Sequence, residues 1–71
     1  MITFKNDELK NIAYNYNWDF EEVENMLKTY DVCKNMKSCV VYKVSNHAIC
    51  LTIDGTNYRL DVEGNLSEVY Q

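Results

Sequence analysis

Hydrophobic positions change their spacing once along the chain, and that change divides it in two. In residues 7–16, Leu9, Ile12, Ala13 and Tyr16 recur at i, i+3, i+4 and i+7, the spacing of one face of a helix. Val23, Met26, Leu27 and Tyr30 repeat that spacing. From Cys39 onward the period is two: CVVYKVS, AICLTI, NYRLDV and LSEVY alternate as half-buried antiparallel strands do. The pattern predicts an α+β domain, α-α-β-β-β-β, with both helices laid on one face of a four-stranded antiparallel meander.

Local signals mark the ends of these elements. Asn6 suits an N-cap, and Asp7 and Glu8 favour the positive end of the first helix dipole. Asp19 and Glu22 have capping-box spacing, with Trp18 and Val23 at the positions of a hydrophobic staple. The second helix is expected to end between Asp31 and Asn35.

Asp54-Gly55 is a two-residue hairpin signal that sets Ile53 opposite Thr56, Leu51 opposite Tyr58 and Ile49 opposite Leu60. A two-residue turn at Asn46-His47 pairs Val44 with Ile49, Tyr42 with Leu51 and Val40 with Ile53. The inward face then collects Val40, Tyr42, Val44, Ile49, Leu51, Ile53, Tyr58, Leu60 and Val62, because side chains alternate strictly across a strand. Cys39, Val41 and Cys50 cluster on the other face and suggest a homodimer surface. A Glu63-Gly64 turn would bring Arg59 opposite Glu68, a favourable cross-strand pair.

Composition narrows the classes of function. Seventy-one residues suffice for one domain, spanning 1–71, and leave a thin stability margin. A chain 46% hydrophobic and 13% aromatic can bury a core, yet no run approaches the ~20 apolar residues that cross a bilayer. The N-terminal MITFKNDELK has no apolar leader core, and three cysteines leave one unpaired, so reduced thiols and a cytoplasmic location are expected. Cys33, Cys39, His47 and Cys50 are four potential zinc ligands, but C-x5-C-x7-H-x2-C lacks the CxxC knuckle, and six residues of strand separate Cys39 from Ser45 by roughly 20 Å, with His47 in the turn at that far end. No metal and no cofactor are expected. The lone imidazole sits in a predicted turn, both glycines belong to turns, and no nucleophile motif surrounds a Ser or Cys, so catalysis is not expected either.

Charge supplies the functional hint. Residues 1–31 hold seven acidic against three basic side chains, which accounts for the whole net charge of −4, while residues 32–71 balance. Leu9 to Leu27 resembles a helix-turn-helix signature, with Ala13 where the helices touch and Asn17 where glycine is usual. Its would-be reading helix, however, presents Glu21, Glu22 and Glu24, which oppose phosphates and favour basic partners. The expected function is therefore a small protein-interaction module without catalytic activity, contacting a basic protein surface through Glu21, Glu22, Glu24 and Tyr14. A concrete version is an inhibitor of a host nucleic-acid enzyme, encoded by a phage or mobile element, whose carboxylates stand in for phosphates. The alternative is a helix-turn-helix DNA-binding regulator.

Overall fold

The computed structural model describes residues 2–70 and has the order β1 (Thr3–Phe4), α1 (Asp7–Asn15), α2 (Phe20–Leu27), a short 3-10 turn (Asp31–Cys33), β2 (Cys39–Val44), β3 (Ala48–Ile53), β4 (Thr56–Asp61) and β5 (Leu66–Glu68). It is an α+β arrangement with a five-stranded mixed sheet in the order β1-β2-β3-β4-β5.

Both expected N-caps form. The Asn6 side chain accepts the Leu9 N–H at 2.9 Å, and Asp19 Oδ1 accepts the N–H groups of Glu21 at 3.0 Å and Glu22 at 3.4 Å. The second helix stops earlier than its apolar stripe suggests, at Leu27 with Lys28 as its cap. Thr29 turns its hydroxyl back to the Met26 carbonyl at 2.8 Å. Such local bonding competes with continued helix.

The strand that sequence reasoning omits is β1. It is two residues long and pairs parallel with β2, Thr3 with Val40 and Phe4 with Val41, which makes the sheet mixed rather than antiparallel. Parallel neighbours require a crossover, and here it runs from Lys5 to Ser38 and carries both helices. Phe4 then meets Phe20 of α2 edge-on, with ring centroids 4.9 Å apart, so the sheet edge and α2 share an aromatic contact.

The β3–β4 hairpin has the expected register, with Asp54 at φ 47° and Gly55 at φ 88° as its two left-handed turn residues. Asp54 also reaches back across the sheet. Its carboxylate accepts the N–H groups of Lys37 and Ser38, both at 2.9 Å, and so anchors the chain as it enters β2.

In β2 the expected register holds only at its far end. Val44 faces Ile49, but Val41 faces Leu51 and Cys39 faces Ile53, with the irregularity between Val41 and Lys43. Tyr42 is the extra residue of a β-bulge, which reverses the facing of everything before it. Cys39 and Val41, expected on the exposed face, are 2% and 0% exposed and belong to the core. Val40 and Tyr42, expected inside, lie on the outer face and are half-buried. Space beneath the helices explains the choice. α1 lies over β1 and β2 with the fully buried Ala13 in the core, and that close approach admits Val41 and Cys39 but not a tyrosine ring with a hydroxyl to satisfy.

The last hairpin also departs from expectation by one residue. Arg59 faces Ser67 and Leu60 faces Leu66, so Arg59 does not face Glu68. The connection is a three-residue loop, Val62 to Gly64, with Gly64 at φ 91° and its N–H bonded to the Asp61 carbonyl at 3.0 Å. Three-residue loops of this kind end on a left-handed glycine. Val62, expected in the core, sits on the loop and is 54% exposed.

The core joins Ala13, Trp18, Val23, Leu27 and Cys33 from the helical layer to Cys39, Val41, Ile49, Leu51, Ile53 and Leu60 from the inner sheet face. The two registers make opposite predictions for two valines. Val41→Ala should destabilise by about 2 kcal/mol through the cavity it leaves, whereas Val62→Ala should stay within about 0.5 kcal/mol. Urea unfolding midpoints of the two variants measure this directly.

Candidate functional site

The site is built where α1 hands over to α2. Asn17 takes φ 65°, the left-handed conformation that asparagine tolerates. Its N–H donates to the Tyr14 carbonyl and the Trp18 N–H to the Ala13 carbonyl, both at 3.0 Å. These two bonds complete a Schellman motif with asparagine in place of glycine. The motif directs Trp18 down onto the edge of the core, where its indole N–H donates to the Ser45 carbonyl at 2.7 Å. Tyr16, the last residue before the reversal, stays 48% exposed.

A second segment closes the site. Tyr30 sits after α2, and its hydroxyl donates to the Gly64 carbonyl at 2.6 Å while accepting the Leu66 N–H at 2.9 Å. The β4–β5 loop is thereby held under α2, where a Cβ built on Gly64 would lie 3.5 Å from Met26 Cγ. Asp61 shapes the same loop. Its carboxylate accepts the N–H groups of Glu63 at 2.9 Å and Asn65 at 3.0 Å. Those bonds, the Asn65 N–H foremost, hold its pKa below the usual carboxylate value.

Between the helix junction and the loop lies a cleft of about 160 Å³. Tyr16, Trp18, Met26 and Val62 give it apolar walls, and Asp19 and Glu22 stand among its polar lining. That volume is about half the ~300 Å³ at which small-molecule sites begin, so it suits a single inserted side chain. The polar rim is acidic.

Of the four residues expected to contact a partner, Glu22 lines this cleft. Glu21 is exposed beside it in the first turn of α2. Tyr14 is 57% exposed on α1, outside the lining. Glu24 is half-buried on α2, three residues beyond Glu21 and outside the lining of the cleft. Val62 and Met26 escaped sequence reasoning as site residues because both read as core. The available signal was Asp61 followed by Gly64 and Asn65, the pattern of a side-chain-stabilised three-residue loop.

The residues expected to form a dimer face do not share one. Cys39 and Val41 are covered by the helices, and of the three only Cys50 lies on the outer sheet face, opposite Lys43 and Arg59. The reason is again the bulge at Tyr42. All three cysteines are free thiols. Among the described residues no three His, Cys, Asp or Glu side chains gather around a common point, and His47 is exposed in the β2–β3 turn. No helix among the described residues is long and apolar enough to cross a membrane.

Protein-family models, curated proteins and solved structures were all compared with the chain, and none gives a significant match.

Three measurements test this geometry. Tyr30→Phe leaves the Gly64 carbonyl and the Leu66 N–H without their partner and should cost about 1–3 kcal/mol, read from thermal or urea unfolding. The thiols should separate by reactivity. Burial raises the Cys33 pKa and pushes that of Cys39 up to about 11, so alkylation of native protein at mildly alkaline pH should mark Cys50 alone. Because folding holds the Cys39 proton that the unfolded chain releases at its ordinary 9.0, stability should be unaffected below that pH and decline as pH rises toward 11.

Proposed function

We propose that this chain is a non-catalytic protein-interaction module that docks a basic segment of another protein on the acidic cleft between the helix junction and the β4–β5 loop. The observation that carries the reading is the combination of exposed apolar groups, Tyr16 at 48% and Val62 at 54%, with the carboxylates of Asp19 and Glu22 around one small cleft. An apolar side chain of the partner enters between Trp18, Met26 and Val62. Flanking lysines or arginines meet Glu21, Glu22 and Asp19. Aromatic anchors set the affinity of such contacts, and charge sets partner choice and encounter rate.

Three features support a partner of this kind. The cleft is preformed, since Trp18 and the loop are fixed by hydrogen bonds to Ser45 and from Tyr30. Both helices begin with exposed acids, Asp7 and Glu8 on α1 and Glu21 and Glu22 on α2, and no basic residue lies in the last turn of either. A reading helix for duplex DNA needs donors toward bases and cations toward phosphates, whereas α2 offers carboxylates. An inhibitor whose carboxylates replace phosphates on the basic surface of a nucleic-acid enzyme is the concrete form of this proposal.

Affinity capture with paired variants tests it. Wild-type protein should retain a partner that is lost both with Glu21→Lys/Glu22→Lys and with Val62→Asp, each variant being folded by circular dichroism. A partner retained equally by both variants would place recognition elsewhere. Binding of duplex DNA that weakens steeply with added salt would overturn the reading in favour of a regulator.

A further inference from the structure

The outer face of the sheet carries the opposite charge. Helices cover only the inner face, and on the outer face Lys43, Cys50, Arg59 and Ser67 stand in register across β2, β3, β4 and β5. Neighbouring strands are ~4.8 Å apart, which places Lys43 and Arg59 ~10 Å from one another with the small Cys50 between them. Val69 and Ala48 complete an apolar depression there, about 330 Å³ in volume. A second depression of about 400 Å³ lies alongside, formed by Lys5, Val40, Tyr42, Thr52 and Asn57. Among the described residues none of Lys5, Lys43 and Arg59 is engaged in a salt bridge. The acid on this face, Asp61, engages the N–H groups of Glu63 and Asn65 in its own loop, and the Arg59 charge reaches it without forming a salt bridge.

We infer that this uncovered face docks the acidic helical layer of a second copy of the chain, so that molecules associate head to tail. The two surfaces lie on opposite sides of one molecule and complement each other. One offers Lys5, Lys43 and Arg59 around half-apolar depressions. The other offers Glu21, Glu22, Asp7 and Glu8, with Tyr14, 57% exposed, as an aromatic that can enter a depression. Covering a sheet face with helices is also how the chain satisfies its own inner face.

Other occupants fit less well. Two sheet faces paired about a two-fold axis would bring Lys5, Lys43 and Arg59 against their own copies, a like-charge contact. A single-stranded nucleic acid would find one stacking ring, Tyr42, and a molecule of net charge −4. A head-to-tail contact uses two different patches and does not close on itself at two copies, so assembly grows with concentration. It should also be screened by salt, because its charges are exposed.

The inference shares the acidic helical layer with the proposed function but adds a surface that function does not use. Sedimentation velocity over a range of concentrations at low and high salt tests it. Wild-type protein should sediment faster as concentration rises at low salt and lose that shift at high salt. Lys43→Glu/Arg59→Glu and Glu21→Lys/Glu22→Lys should each remain monomeric alone. Mixed together they should associate again, since the mixture restores an acidic helix layer facing a basic sheet, and that recovery also shows both to be folded. Wild-type protein that stays monomeric at every concentration, or a mixture that does not recover association, overturns the inference. So does a short oligothymidylate that binds wild-type protein and not Lys43→Glu/Arg59→Glu, which would assign the face to nucleic acid. Lys43→Glu/Arg59→Glu leaves the cleft intact, so loss of self-association with an unchanged captured partner separates this inference from the proposed function.

Discussion

One residue too many in β2 decides what each side of this molecule is. Tyr42 has no partner of its own in the ladder, and because side chains alternate along a strand, its insertion assigns Cys39 and Val41 to the core while Val44 still points inward beyond it. Without the bulge the same strand would send Val40 and Tyr42 under α1 and turn Val41 to water. That arrangement is equally apolar, so hydrophobic burial alone does not choose between them. Volume does. Ala13 and Val41, both 0% exposed, let α1 lie close to the sheet, and a tyrosine there would require both a cavity and a partner for its hydroxyl. Asp54 reinforces the outcome from the far side, since its bonds to Lys37 and Ser38 fix where β2 begins.

A domain of this size has little apolar surface to bury, so the contacts that tie its layers carry disproportionate weight. Two aromatic side chains do this through main-chain partners. Trp18 joins the helix junction to the β2–β3 turn through Ser45, and Tyr30 joins the end of α2 to the β4–β5 loop through Gly64 and Leu66. Each buries a large ring and presents its polar atom to a backbone group that would otherwise be left unpaired. The cleft exists because these two ties lie on either side of it and hold the helix junction and the β4–β5 loop in place.

Legibility in the sequence followed the range of the signal. Asn6, Asp19 and Asn17 act on their immediate neighbours, and capping and left-handed geometry could be read from residue type and position. Asp54-Gly55 set the register of β3 against β4 for the same reason. What escaped depends on partners distant in the chain. β1 is two residues whose ladder partner lies 37 positions away, Thr3 against Val40, and nothing in Thr3-Phe4 announces it. The bulge answers to the volume beneath α1, which no local pattern encodes. The β4–β5 loop was misread although its signal was local, because Glu63-Gly64 imitates a two-residue turn and Asp61, which organises a three-residue one, precedes it. The acidic surface of α2 was legible in its exposed glutamates. The cleft was not, since it required Val62 to leave the sheet.

The two charged surfaces follow from this construction. Helix N-termini favour acids, and both helices here begin with them; sheet faces left open to water favour polar and charged residues at alternate positions, and the β2–β3 and β3–β4 registers align Lys43 with Arg59 across Cys50. A small chain that separates its charges in this way leaves two exposed clusters, one acidic and one basic. Such clusters are stable on a monomer only while they are solvated, and each gains when a surface of opposite sign covers it. The acidic side has a cleft the size of one side chain, which suits selective recognition in the proposed docking. The basic side has two larger depressions, of about 330 and 400 Å³, bordered by adaptable lysine stems, so under the inferred association the sign of the charge counts for more there than a single anchoring side chain. A partner that is itself a helical layer with carboxylates outward meets those requirements, and the chain already carries one.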